Sequence, residues 1–348
     1  MTSNDPGHID NLSTDQTKVL QEYWKVLLER LSTDESAQGS LTEELWLACA
    51  LDRPDQLTLR FLRARKWDVQ KAVEMTMNAL KWRVDFGVKE LLANGERDLD
   101  LQELESGKSY FQGTDKQGRP CCFVFARLHD KNEVDVEKTK KLTVLTLETG
   151  RMVLTPPQEL ACIVFDLTGF GLNNFQVEVV RFLSDCMQNF YPESLGQALV
   201  VNAPWVFNGC WAIIKPWLDP VVAAKIRFVK STELPTLIDV AKLPESLGGT
   251  ASDFAYLPPT ADEEADFAKL RADTAANESA WKKYREAYKS YTESTRKWAG
   301  GDAELTAERM KAEAHLKEAY MKLSPFIRTR TTYHRRGVVN DPALSTPI

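Results

Sequence analysis

Apolar positions recur at helical spacing near the start of the chain, change to short continuous runs in the middle, and return to helical spacing near the end. Val19, Tyr23, Trp24, Leu27, Leu28 and Leu31 predict a helix over 15–32. The polar residues 1–14 before it are expected to be disordered, and 33–40 read as a linker. Leu41 opens a second helix, Asp52-Arg-Pro-Asp55 makes a turn into a third that ends at Ala64, and Asp68 caps a fourth. In that fourth helix Val69, Val73, Met77, Leu80 and Val84 step by threes and fours until Gly87 stops it. Residues 15–88 therefore predict an all-helical module.

The middle of the chain has a different period. Ser109–Gln112 and Cys121–Phe125, joined by Gly113–Pro120, read as a hairpin, and Thr139–Leu154 as a helix ended by Pro156-Pro157. The apolar strand Cys162–Asp166, an amphipathic helix and a second apolar strand, Ala198–Val201, form a crossover unit of a mainly parallel sheet. A segment crowded with Trp205, Phe207, Trp211, Ile213, Ile214, Trp217 and Leu218 follows, then a strand at Lys225–Val229 and a closing turn at Leu243–Gly249. These side chains are too many and too large for one exposed helix, which raises the question of what it covers. Beyond Pro258-Pro259, Phe267, Leu270, Trp281, Tyr284, Tyr288, Tyr291 and Trp298 mark one helix over 262–298. Leu305 to Leu323 mark a second, joined to the first by Gly300-Gly301. An antiparallel hairpin packed on the parent domain is simpler than a dimeric coiled coil, because so few heptads are present.

Composition narrows the function. A net charge of −6, with no long basic run, gives no sign of nucleic acid. The six cysteines stand in apolar runs or as the adjacent pair 121/122, which suits reduced, buried thiols better than disulfides or a metal site. The N-terminus has no signal-peptide pattern and no window approaches a spanning helix, so a cytoplasmic protein is expected. Thr168-Gly-Phe-Gly171 is not a complete dinucleotide loop, and there is no nucleophile elbow and no HExxH. Of four histidines only His129 lies in the central region, so no histidine-based catalytic set is expected. No cofactor and no metal is called for.

The remaining chemistry lies in a few charges among apolar neighbours. Arg65 and Lys66 end a helix, where compensation of the helix dipole would explain them without a ligand. Glu193 follows Tyr191-Pro192 and Lys225 follows Asp219-Pro220; either could belong to a structural ion pair. Together with the bulky segment, these charges describe a large apolar cavity with a charged lip, suited to an amphiphile with an anionic head. The tail 324–348 carries Arg328, Arg330, His334, Arg335 and Arg336; it fits either anionic lipid or neutralisation of the acidic helices before it.

Several of these stretches form a known set. Leu59-Arg-Phe-Leu-Arg-Ala-Arg-Lys-Trp-Asp68, Trp82-Arg83, Thr114–Pro120 and Phe165-Asp-Leu-Thr-Gly169 are joined by Tyr191-Pro-Glu-Ser-Leu-Gly196 and Asn202-Ala-Pro-Trp205. Lys215–Pro220, Lys225-Ile226 and Leu247-Gly-Gly249 complete it. In this order over about 40–255 they resemble the CRAL-TRIO lipid-binding family, and within it the fungal phosphatidylinositol-transfer proteins. The tail beyond 260 resembles a non-classical branch.

The resemblance implies an α/β CRAL-TRIO fold, in which a mixed, mainly parallel sheet floors a hydrophobic lipid pocket under a gate helix. A helical N-terminal module over 15–88 would precede the lipid-binding domain, 89–257, and a helical hairpin extension, 258–323, would follow it. The gate would run from Trp211 to Val222, with Trp211, Ile214, Trp217, Leu218, Val221 and Val222 as its apolar residues. Phosphatidylinositol head-group roles carry over to Arg65, Lys66, Asp115, Glu193 and Lys225. Val222 and Ser194 stand where the classical proteins have Thr and Arg, so one head-group hydrogen bond is missing. The family's phosphatidylcholine cage maps onto Phe111, Cys122, Ala161 and Ile163, which lack its four polar groups. With Phe165 they would line a pocket for a second, neutral ligand such as squalene or a sterol.

The function implied is therefore non-enzymatic transfer of phosphatidylinositol, without phosphatidylcholine, by a monomer in transient membrane contact. Endosome, lipid droplet and endoplasmic reticulum are the membranes considered. A lipid-regulated scaffold presenting phosphatidylinositol to a phosphoinositide kinase is the first alternative, and a lipid-modifying enzyme the second.

Overall fold

A computed structural model describes residues 6–33, 39–154, 157–301, 305–341 and 344. Five helices come first: α1 (Thr14–Thr33), α2 (Ser40–Leu51), α3 (Pro54–Ala64), α4 (Val69–Phe86) and α5 (Val88–Asn94). Next are α6 (Leu101–Glu105), β1 (Ser109–Thr114), β2 (Pro120–Phe125), α7 (Val136–Val153) and β3 (Ala161–Asp166). They lead into α8 (Val177–Asp185), β4 (Leu195–Val201), α9 (Phe207–Ile214), α10 (Pro220–Ala224), β5 (Ile226–Val229) and α11 (Leu234–Leu237). The chain closes with α12 (Ala261–Ala272), α13 (Thr274–Ala299), α14 (Thr306–Ile327) and α15 (Thr332–Arg335).

The contacts divide the chain into two compact units. One, over 95–258 and 331–339, holds the sheet, in which β1 and β2 are antiparallel and β2, β3, β4 and β5 run parallel in chain order. Right-handed crossovers that always advance in one direction put their helices on one face of a sheet. Here α7, α8, α9 and α10 are those crossovers. The strands alternate accordingly, with Cys122, Val124, Ile163, Phe165, Ala198 and Val200 facing the cavity. Cys121, Phe123, Cys162, Val164, Leu199 and Val201 pack into a fully closed core on the other side, with Leu234, Ile238, Leu243 and Leu247. The turn at Leu247-Gly-Gly249 needs its second glycine, since a Cβ there would lie 1.8 Å from the Leu243 carbonyl oxygen.

The second unit, over 3–94, 259–330 and 340–348, joins the N-terminal helices to the C-terminal hairpin. Trp46 stacks on Trp24 at 5.8 Å and meets Tyr291 of α13 edge-on at 5.4 Å. Arg309 of α14 grips Asp55 at 2.6 and 2.7 Å, and Asp55 also accepts from the Trp24 indole. Burial alone would raise the Asp55 carboxyl, but the Arg309 guanidinium, the Trp24 N–H and the Arg53 charge together hold the group below the usual carboxylate range. The hairpin is thus part of this unit's core.

The structure corrects several expectations. Residues 6–13 are ordered: Gly7 bonds Asn11, Arg63 donates to the Gly7 carbonyl, and His8 is buried. Residues 1–5 lie outside the described residues, as do 34–38 of the expected linker and the first proline of Pro156-Pro157. The expected helix over 262–298 is two helices, because Asp273 leaves helical geometry and caps the second by accepting from the Ala276 N–H. Helix α14 continues to Ile327, past the expected end at 323.

The arginine tail is folded rather than a free basic strip. Arg328 is buried and donates to Tyr320 at 3.3 Å. Arg335 pairs with Glu96, and Arg336 donates to the Ala255 carbonyl at 2.5 Å. Glu96, distant in sequence and outside the preceding acidic helices, takes the Arg335 charge.

Candidate functional site

Between the sheet and its crossover helices lies a cavity of about 330 Å³, apolar almost throughout. Its floor is a register row. Phe111 pairs with Cys122, Cys122 with Ile163, Ile163 with Ala198, and Ala198 with Ile226, and all five line the cavity. The next row brings Val124, Phe165 and Val200 beside one another, and Ala161 lines the cavity one pleat away. All five residues expected in the pocket therefore stand on its floor: Phe111, Cys122, Ala161, Ile163 and Phe165. Helix α7 comes close over β1 because Gly150 offers no Cβ; one there would sit 3.0 Å from the Phe111 ring. The sole polar group among the four cage positions is the Cys122 thiol, which burial pushes up to about 12 and so keeps neutral.

The gate segment differs from the expected single helix. Helix α9 ends at Ile214, a 3₁₀ turn spans Lys215–Trp217, and α10 begins at Pro220 under an Asp219 cap. The break falls at Leu218 and Asp219, neither of them helical; Pro220 biases Asp219 out of helix, and Pro216, which has no N–H to donate, opens the 3₁₀ turn. Trp211, Ile214, Leu218 and Val222 line the cavity, as does Phe207. Trp217 and Val221 belong to the same segment but point away from the cavity lining. Trp217 lies under Arg181, 5.8 Å from its guanidinium, and Val221 is 50 % exposed. Gln188 ties the break down: its amide donates to the Trp217 carbonyl and its oxygen accepts from the Asp219 N–H. It belongs to a π-helical turn, Cys186–Phe190, that ends α8.

The expected head-group residues fall into three sets. Glu193 and Lys225 come together, 3.9 Å apart, each side chain about one-fifth exposed. Both are flanked in sequence by cavity residues: Tyr191 and Ser194 on one side, Val222 and Ile226 on the other. Asp115 is already engaged. It is 2 % exposed; Oδ1 accepts the N–H groups of Gln117 and Arg119, and Oδ2 accepts from Arg119 Nε and Gln197 Nε2. With its acceptor sites filled it holds the turn rather than offering a hydroxyl acceptor, a correction to its expected role. Arg65 and Lys66 belong to the helical unit, where Arg65 closes α3.

Backbone geometry singles out two of these places. Among the described residues only Lys66, Trp67, Glu193 and Asn202 are non-glycines with positive φ, at +50°, +67°, +53° and +52°. Such conformations cost of order 1–3 kcal/mol and persist where surroundings over-determine them. Three of the four lie at or beside expected head-group positions.

Two polar clusters at the cavity escaped sequence reasoning. Tyr191 donates to Glu148 at 2.8 Å, and Arg151 reaches the same carboxylate at 3.2 Å. Glu148 sits three residues after the apolar Leu145 on the buried side of α7, and that misplaced charge was a readable signal. The other joins Lys108, Glu103, His129 and Gln176, drawn from four separate segments with no shared period.

A CRAL/TRIO domain model matches residues 104–249, the span of the cavity, and a CRAL/TRIO N-terminal domain model matches 18–77. The chain is also 36 % identical to "CRAL-TRIO domain-containing protein C3H8.02" of Schizosaccharomyces pombe, over 97 % of this chain and 77 % of that protein. The chain belongs to the CRAL/TRIO family. Another CRAL/TRIO relative, "Phosphatidylinositol transfer protein CSR1" of Eremothecium gossypii, is 36 % identical over 86 % of this chain and 72 % of its own length. "SEC14 cytosolic factor" of Candida glabrata is 32 % identical, over 63 % of this chain and 79 % of that protein. A solved structure titled "Crystal structure of Sfh5" shares the CRAL/TRIO fold at a TM-score of 0.54 and 15 % identity, covering 70 % of this chain and 94 % of that one.

Proposed function

We propose that this CRAL/TRIO protein exchanges phosphatidylinositol, and a second neutral hydrophobe of squalene or sterol type, at cytoplasmic membrane surfaces, and that it does not carry phosphatidylcholine. The observation that carries this reading is the floor row Phe111–Cys122–Ile163–Ala198–Ile226, apolar across all five strands under the α9–α10 segment. Each methylene moved from water into such a cavity gains about 0.8 kcal/mol, so it offers acyl chains an environment close to the bilayer's. A choline phosphate, in contrast, would lie on carbon and a neutral thiol, at a cost of several kcal/mol for an uncompensated buried charge.

The likeness to a protein named for phosphatidylinositol transfer supports the head-group choice. So do the strained backbone at Glu193 and the half-buried Glu193–Lys225 pair. In this reading the lipid phosphate replaces Glu193 as the partner of Lys225, and the freed carboxylate accepts inositol hydroxyl protons. The gate opens by swinging α9–α10 about the proline breaks. Exposed Trp205, Ile213 and Val221 are apolar groups that can exchange water for bilayer as it does so. No catalytic step is assigned to the site. Mass spectrometry of lipids co-purifying with the full chain tests the proposal: phosphatidylinositol and an apolar neutral lipid are expected, and a dominant choline lipid would overturn it.

A further inference from the structure

One end of the cavity is not apolar. Lys108 is 6 % exposed and forms a buried ion pair with Glu103. Its Nζ also lies 3.5 Å from His129 Nδ1. An ammonium can only donate, so Nδ1 is the acceptor and Nε2 carries the proton. That Nε2–H donates to Gln176 Oε1 at 2.9 Å, which in turn directs the Gln176 NH₂ away from the histidine. Asn174 fixes the group by donating to the His129 carbonyl at 2.8 Å. Burial, reinforced by the Lys108 charge, lowers the His129 pKa and favours this neutral ring.

Thr139 supplies a second, independent observation. Thr143, Thr146 and Thr149, on the same helix, each bond back to the carbonyl four residues earlier. Thr139 does not. It is 4 % exposed, lines the cavity, and its Oγ1 has no partner among the described residues. Its neighbours tie this turn to both halves of the cluster: Lys138 bonds Asp100, ahead of Glu103, and Lys140 bonds Glu178, just after Gln176. A buried hydroxyl left empty in this way costs free energy that a ligand can recover.

We infer that Lys108, His129, Gln176 and Thr139 form a polar subsite for the single neutral oxygen of an otherwise apolar ligand, a hydroxyl or a carbonyl. The inference rests on the cavity being a lipid site, and it narrows the second ligand from any hydrophobe to an oxygen-bearing one. Charge excludes a carboxylate, because Glu103 already neutralises Lys108 and a second anion would be buried unpaired. The donors present suit an alcohol. Thr139 and Gln176 donate to its oxygen, and the Thr139 hydroxyl can instead accept its proton.

The test uses 1-octadecanol, octadecane and octadecanoate, offered on vesicles to the full chain and quantified after the protein is re-isolated. The alcohol is expected to bind better than the alkane by roughly three- to tenfold, the range of one net hydrogen bond. Thr139→Val keeps the side-chain shape and is expected to reduce that preference while leaving octadecane unchanged, and Thr139→Ser is expected to restore it. Equal binding of alcohol and alkane, a preference for octadecanoate, or equal losses for alcohol and alkane in Thr139→Val would each overturn the subsite. Phosphatidylinositol binding is measured on the same preparations. If it persists without an alcohol preference, the subsite alone fails; if all four lipids fail to bind, the cavity is not a lipid site.

Discussion

Ala198 is the smallest side chain in the middle of the cavity floor, between Ile163 and Ile226, so Ala198→Phe aims a ring into the space a ligand would occupy. A cavity of about 150 Å³ is enough to hold benzene. The new ring would therefore claim something near half of the 330 Å³ present. If it displaces about four methylenes of a bound chain at roughly 0.8 kcal/mol each, binding weakens by about 3 kcal/mol, or about two orders of magnitude in Kd. The fold should tolerate the change, because the ring fills empty space instead of pushing aside packed atoms. The assay is equilibrium binding of radiolabelled phosphatidylinositol, with thermal unfolding as the control. Unchanged affinity in a variant with a Tm equal to or above that of the parent would refute the claim that acyl chains lie on this floor.

Other expectations follow from the charges. Lys225→Met should weaken phosphatidylinositol binding by roughly ten- to a hundredfold, the loss of one charge-assisted hydrogen bond, while sparing a neutral hydrophobe; a co-purified lipid inventory would show the difference. Arg309→Met strands the Asp55 carboxylate and should destabilise the helical unit by about 3–5 kcal/mol in chemical denaturation. Because the folded Asp55 pKa is depressed, its contribution holds above the ordinary carboxylate range and fades as pH falls below about 4. The His129 pKa is also depressed, so the unfolded chain takes up that proton first. Stability should thus drop as pH falls below about 6.5, and His129→Gln should flatten the slope in a pH series of melting curves.

Removing residues 260–348 would not isolate a bare carrier, although a separable hairpin suggests that experiment. Tyr284, Tyr291 and Leu316 are buried in the helical unit, so their loss would expose Trp46 and unpair Asp55. A truncated chain that kept its parent's Tm would contradict this packing.

How much was legible in the chain depended on whether the signal was local. The strands and crossovers showed because buried parallel strands are unbroken apolar runs, such as Cys162–Phe165. The cavity floor followed from one alternation, 161, 163, 165. The breaks were harder to see. Asp273 lies in an exposed, polar stretch where the apolar face carries across the interruption, so periodicity reads through it. Pro216 and Pro220 were local signals, but the crowding of large apolar groups around them favoured a single helix. The Glu96–Arg335 pair and the Lys108–His129 contact join residues 239 and 21 positions apart, and no spacing rule reaches them. Asp115 shows the opposite error: a motif placed it at the head group, while its own turn occupies its oxygens.

Which lipid moves is the decisive observation. Transfer of radiolabelled lipids from donor to acceptor vesicles, run side by side with phosphatidylinositol and phosphatidylcholine, tests that directly. The predicted result is transfer of phosphatidylinositol well above the protein-free rate, with phosphatidylcholine at background. Transfer of phosphatidylcholine at a comparable rate would contradict the reading of Phe111, Cys122, Ala161 and Ile163 as an apolar floor that refuses the choline head.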